Sequence, residues 1–152
     1  MWYRVFSLSD TPVSPAKLVE HLYALSLPVT PHFKGDDLGW TAGDLVLPDG
    51  GTPVQLGRYL AKEDDLRDDL NAYAAELETM DFSPNSPVLM QHVVQTKQLV
   101  TLRRPLDHAD EATLDRLCLE AVRYLAAHSD GVYQIDVQGW FAADGTLLLQ
   151  EY

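Results

Sequence analysis

The chain has 152 residues, 46% of them hydrophobic and 22% charged, which is the size and composition of a single globular domain. It carries 23 Asp and Glu residues against 11 Lys and Arg residues, a net charge of −12. This balance argues against a surface that neutralises phosphates, so we expect no nucleic-acid partner. It is compatible with a basic protein partner.

The first third of the chain alternates strand and helix signals. Residues 2–8 are rich in aromatic and β-branched side chains and predict a strand. Ser14 followed by Pro15 is typical of a helix start. A strong turn is predicted at 48–51. Three further extended segments are predicted at 29–34, 40–47 and 53–60.

The middle of the chain predicts two helices. The first covers residues 62–80, where Leu66, Leu70, Tyr73 and Leu77 recur at helical spacing. Ser86 before Pro87 repeats the capping signal, and a short helix is predicted over 87–95.

The last third returns to the order of the first. Residues 97–103 predict a strand, and 111–127 predict a helix capped by Asp107 or Asp110. A hairpin turn is predicted at 143–145. The remaining extended segments are 132–137, 139–142 and 146–151.

A twelve-residue pattern occurs at 36–47 and again at 136–147, 100 residues further on. The two copies share six positions, namely Asp36, Gly39, Trp40, Ala42, Asp44, Leu47 and their counterparts Asp136, Gly139, Trp140, Ala142, Asp144, Leu147. The strand and helix signals before each copy also agree in order. We therefore expect an internal pseudo-repeat with halves at about 1–60 and 97–152, joined by the helices in 62–95.

The fold class that follows is α+β in a single domain over 1–152. We expect an antiparallel or mixed sheet of about six or seven strands, with helices packed mainly on one face. Two β-α-β-β units would supply most of this sheet. The hairpin turns make a doubly wound parallel sheet a poor alternative.

The repeated motif allows two interpretations. Trp40 and Trp140 would either be aromatic walls of a ligand site or fill the interface between sheet and helices, and packing is the favoured interpretation. Asp44 and Asp144 are expected to form turns. Asp136 differs, because it lies in an extended apolar run where a carboxylate requires a partner or solvent.

The start of the predicted helix 62–80 is strongly acidic. Its carboxylates at Asp64, Asp65, Asp68 and Asp69 are predicted to contact a basic partner. They lack the glycine and bidentate glutamate of a calcium loop, so no metal site is predicted.

A second candidate site combines Arg103, Arg104 and His108 at a strand end with Asp136. The arginines would bind a carboxylate or phosphate, while His108 and Asp136 are weak candidates for acid–base chemistry. The structural alternative is that these charges pair with neighbouring residues.

No nucleotide, flavin or haem motif occurs, and no cofactor is predicted. The single cysteine, Cys118, cannot form an internal disulfide and is expected in the core. Neither a secretory signal nor an apolar run of ~18–20 residues is present, so we expect a cytoplasmic protein without a membrane span.

The functional expectation is a non-catalytic acidic module that binds a protein partner, with inhibitor or immunity proteins as one version. The alternatives are a small-ligand or acid–base pocket at the second candidate site, and a domain that forms homodimers.

Overall fold

The computed structural model describes residues 1–106, 108 and 110–151, so Asp107 lies outside the described residues. The elements in chain order are β1 (Trp2–Ser7), α1 (Pro15–Ala24), β2 (Thr30–Asp36), β3 (Gly39–Val46), β4 (Val54–Leu60), α2 (Arg67–Thr79), α3 (Ser86–Val94), β5 (Gln98–Arg103), α4 (Glu111–Ala127), β6 (Gly131–Ile135), β7 (Gly139–Ala142) and β8 (Leu147–Gln150).

The architecture is α+β, with one fully antiparallel sheet in the order β2-β3-β4-β5-β1-β6-β7-β8. The sheet has eight strands, so the expected count of six or seven was too low. No described helix is both long and apolar enough to cross a membrane.

The sheet has helices on both faces, and the expectation of helices mainly on one face was wrong. Val5 packs in a core with α1 and α4, and its neighbour Phe6 packs in a second core with α2 and α3. Successive strand residues point to opposite faces, so both cores draw on the same central strand. The first core is the larger, and it includes Trp40.

The second core covers only part of its face. Its buried strand residues come from β1, β5, β7 and β8. The same face of β2, β3 and β4 is left open, with a surface depression of about 560 Å³ lined by His32, Lys34, Asp44 and Gln55 among others.

The helix starts follow local capping chemistry, with two corrections. Ser14 and Asp110 cap α1 and α4 as predicted, each accepting a backbone N–H with its side chain. Ser86 does not cap α3: its buried hydroxyl donates to the carbonyl of Leu77, joining α3 to α2. The helix predicted from residue 62 begins at Arg67, because the Asp64 carboxylate accepts the N–H of Leu60 and closes a turn instead.

The two predicted β-α-β-β units are not confirmed. After α1 the chain enters β2 at the sheet edge, whereas after α4 it enters β6, directly beside β1. The two Gly-Trp motifs do share a local shape, since Gly39 and Gly139 both have positive φ at the start of a strand. Trp40 and Trp140 nevertheless pack in different cores on opposite faces.

Candidate functional site

The strand register places a row of polar residues across the face that carries α2 and α3. Residues paired directly across antiparallel strands point to the same side, so the row is continuous. It begins at the β2 edge and passes over five strands to the end of β6. Its polar members are His32, Asp44, Gln55, Arg103 and Asp136, and the ring of Trp2 stands between the last two. The sequence predicted Asp44 as a turn former, but it lies within β3.

A cleft separates this part of the sheet from helix α2. It has a volume of about 440 Å³, and its floor includes Arg4 and Thr101, which pair across β1 and β5. Tyr59 and Tyr73 line it, and Asp69 and Glu76 of α2 also contribute to its walls. We call this space the α2 cleft. It combines aromatic rings with carboxylates, a composition suited to a cationic group.

Arg4 is held by Asp136, the carboxylate in the extended apolar run. Its Nη1 lies 2.6 Å from Oδ1 of Asp136 and also donates to Gln134 Oε1 at 2.8 Å. The other carboxylate oxygen, Oδ2, accepts the backbone N–H of Trp2. The carboxylate in the extended run therefore has the partner that its position required.

The pKa of Asp136 reflects this environment. Burial raises it, but the hydrogen bonds from Arg4 and the N–H of Trp2 outweigh burial, and the pKa falls below its ordinary value of 3.8. Asp136 is therefore a stable anion at neutral pH. This suits a structural ion pair and does not suit a general base, whose pKa should lie near the working pH.

Two arginines of this region also form cation–π contacts with aromatic rings. The Arg4 guanidinium lies 5.6 Å from the centre of the Tyr73 ring, and that of Arg103 lies 5.7 Å from the Trp2 ring. Burial raises the pKa of Tyr73 above 10.0 despite the opposing charge of Arg4. The Tyr73 hydroxyl therefore stays neutral at physiological pH.

The acidic residues predicted to bind a partner lie at the start of α2 and in the turn before it. Asp64, Asp65, Asp68 and Asp69 are all exposed. Asp69 lines the α2 cleft, and the Asp64 carboxylate accepts the backbone N–H of Leu60 within the preceding turn. In residues 1–106, 108 and 110–151, none of these four carboxylates forms an ion pair.

The acidic surface extends further along the chain than predicted. Eight of the 23 acidic residues fall between 63 and 81, against one basic residue, Arg67. These are Glu63, Asp64, Asp65, Asp68, Asp69, Glu76, Glu78 and Asp81. We call this set the acidic segment. Its uncompensated charge attracts cations.

The second candidate site is not assembled as predicted. Arg103 and Asp136 share the polar row, but Arg104 turns towards α4, where its Nε lies 2.8 Å from Asp115 Oδ1. His108 Nδ1 accepts the N–H of Asp110, so its Nε2 carries the proton and donates to Asp49 at 3.2 Å. These separate partners leave no shared point for acid–base chemistry.

Three residues weighed for chemistry lie in the cores. Trp40 is 8% exposed and Trp140 is 2% exposed, so neither offers a ring face to solvent. The indole N–H of Trp40 donates to the carbonyl of Val13. Cys118 is fully buried, and burial raises the pKa of its thiol to about 12, so the reactive thiolate is essentially absent at neutral pH.

Among the described residues there is no group of three or more His, Cys, Asp or Glu side chains placed to hold a metal ion. No sequence motif marks Arg4, Tyr59 or Thr101 as site residues. Arg4 and Thr101 alternate with core residues, which marks them as the polar face of their strands, whereas the neighbours of Tyr59 lie outside both cores. Only the register brings the three residues together. Comparison of the chain with protein-family models, curated proteins and solved structures finds no match.

Proposed function

We propose that this protein is a non-catalytic module that binds a basic protein partner through the acidic segment and the adjoining α2 cleft. The observation that carries the proposal is the acidic segment, whose carboxylates form no ion pair among the described residues, beside a cleft lined by the exposed ring of Tyr59. Acidic surfaces of this kind raise the rate at which a cationic partner associates and discriminate against acidic ones. Neutralisation of a basic effector is one specific version.

The cleft gives the proposed contact a place for an anchoring side chain. A lysine or arginine entering it would meet the carboxylates of Asp69 and Glu76 and the ring of Tyr59. Arg4 does not repel such a group strongly, because Asp136 already neutralises it. Partly desolvated aromatic and charged contacts of this kind commonly dominate binding energy.

The test uses a defined probe, a short oligolysine peptide, with oligoglutamate of equal length as the comparison. Backbone amide shifts would map where the peptide contacts the protein. We expect oligolysine to shift signals of α2 and of the strands lining the cleft, and we expect oligoglutamate to leave them unchanged. Binding should weaken as salt rises.

Matched variants separate the site from the overall charge. Asp69→Asn with Glu76→Gln removes two charges at the cleft, while Glu20→Gln with Glu111→Gln removes two exposed charges on α1 and α4. Exposed charge pairs contribute roughly 0.2–1 kcal/mol each, so the first variant should bind about fivefold more weakly and the second should bind normally. Equal weakening in both variants would refute the proposal.

A further inference from the structure

A second cavity, separate from the α2 cleft, collects basic side chains in this acidic protein. It has a volume of about 620 Å³ and lies where five segments meet: the ends of β1, β4 and α3, the β2–β3 turn and the start of α2. Lys62, Arg67 and Lys97 line it, and they are three of the 11 basic residues in the chain. This volume is in the range of small-molecule sites, roughly 300–1,000 Å³.

In the part of the chain that the structure describes, none of these three cations forms an ion pair. Asp10 and Glu63 also line the cavity, yet within the described part of the chain neither forms an ion pair with any of the three. Arg67 is fixed in place, since its Nη1 donates to the carbonyl of Val94 at 2.8 Å. The rest of its guanidinium has further N–H groups to offer to an anion.

A buried arginine organises two walls of the same cavity. Arg58 is 4% exposed, and its guanidinium donates to the carbonyls of Asp10 and Leu38, both of which line the cavity, as well as to Gln98. All its hydrogen-bond acceptors are uncharged oxygens. Its positive charge is therefore opposed only by more distant acids, and it adds to the potential behind the walls.

The cavity also has an apolar side. Leu38 and Val94 are among the large hydrophobic residues that remain exposed, and both line it together with Leu60. Exposed apolar side chains beside unpaired cations are the usual composition of a site that holds an apolar body by burial and an anionic group by hydrogen bonds.

We propose that this cavity binds a small organic anion, with a carboxylate or phosphate group towards Lys62, Arg67 and Lys97 and an apolar body against Leu38, Leu60 and Val94. The proposal does not depend on the basic-partner function, because the anion would contact Lys62, Arg67 and Lys97. The basic partner would contact carboxylates of the acidic segment, of which Glu63 alone also lines this cavity. Carboxylate and phosphate ligands share a negative charge, and binding of benzoate or phenyl phosphate distinguishes between them.

The experiment titrates benzoate, phenyl phosphate and the neutral analogue benzamide into the intact protein, with binding followed by backbone amide shifts. We expect the shifts to saturate for at least one of the anions and to centre on residues 60–67 and 94–97. Saturation by one anion alone assigns the group as carboxylate or phosphate, and saturation by both assigns a general anion site. Benzamide should bind at least about fivefold more weakly, because it lacks the charge.

Two variants locate the effect. Lys62→Gln with Lys97→Gln removes two cavity cations and leaves Arg67 and Arg58 to hold the fold. Lys17→Gln with Lys34→Gln removes two exposed cations elsewhere. We expect anion binding to weaken at least about fivefold in the first variant and to be unchanged in the second. No saturable shift with either anion, equal binding of benzamide, or equal losses in the two variants would overturn the proposal.

Discussion

Asp136 needs a partner, as its position in the sequence predicted, but it forms a structural ion pair and does not take part in acid–base chemistry. A carboxylate in an apolar extended run indicates either a site or a partner, and sequence distance hides the partner, because Arg4 is 132 residues away. The contact arises since β6 lies beside β1. Asp136 therefore stabilises the pairing of β1 with β6, while the cleft beside it supplies the exposed surface.

Replacing Asp136 with Asn should reduce the free energy of unfolding at neutral pH by about 1–2 kcal/mol, because a hydrogen-bonded ion pair is lost at a partly exposed position. The pKa of Asp136 is lower in the folded protein than in the unfolded chain. Its contribution is therefore complete above the ordinary pKa of 3.8 and is lost as pH falls through the folded pKa.

Denaturant unfolding at a series of pH values measures this effect. The difference between the native protein and Asp136→Asn should be largest near neutrality and shrink under acid conditions. Asp37→Asn, at an exposed turn position, is the control for loss of one negative charge. A difference that stays constant with pH would show that the carboxylate charge is not what stabilises the fold.

At the scale of elements, the correction at Ser86 comes from a contact between two helices. Capping residues, helical spacing and runs of aromatic and β-branched side chains are local signals, and they predicted the extended segments and the bounds of α4 closely. Ser86 has the same local signal as Ser14, but contact with α2 gives its hydroxyl a stronger alternative, the carbonyl of Leu77. A cap predicted from neighbours in sequence cannot anticipate an acceptor supplied by another helix.

Aspartate substitutions distinguish the two serines. Ser14→Asp should change the free energy of unfolding by no more than about 0.5 kcal/mol, because Asp and Ser are equally good N-caps. Ser86→Asp should destabilise by more than about 3 kcal/mol, because it places a carboxylate in a buried position facing a carbonyl oxygen. Urea unfolding of both variants measures these changes. Similar free energies of unfolding for the two variants would show that Ser86 acts as a cap, like Ser14.

The α2 cleft shows why the candidate site was only partly predictable. The acidic segment is contiguous, so its charge was visible in the sequence. The floor of the cleft is not contiguous, since Arg4, Tyr59 and Thr101 come from three strands. They meet because β4, β5 and β1 are neighbours in a particular register, which no local pattern determines.

At the scale of the whole molecule, the two halves of the chain are interleaved. β1 from the first half lies between β5 and β6 of the second half, and it contributes Val5 to one core and Phe6 to the other. In 1–60 alone, β1 would lose both of its partners, β5 and β6, and in 97–152 alone β5 would lose both β4 and β1, so neither half can keep all of its strand pairing without the other. A central strand shared by both cores couples them, so we expect the domain to unfold in one cooperative transition.

The tryptophans provide a probe in each core, Trp40 in the first and Trp140 in the second, while Trp2 is 38% exposed. In Trp140→Phe the fluorescence change on unfolding comes mainly from Trp40, and in Trp40→Phe it comes mainly from Trp140. Both substitutions should lower stability, since each replaces a buried indole by a smaller ring. Within each variant, the fluorescence and far-UV circular dichroism transitions should share one midpoint. If the smaller second core unfolded first, the fluorescence of Trp40→Phe would change before most of the helical circular dichroism signal was lost. That result would show that the coupling through β1 is too weak to make the domain a single cooperative unit.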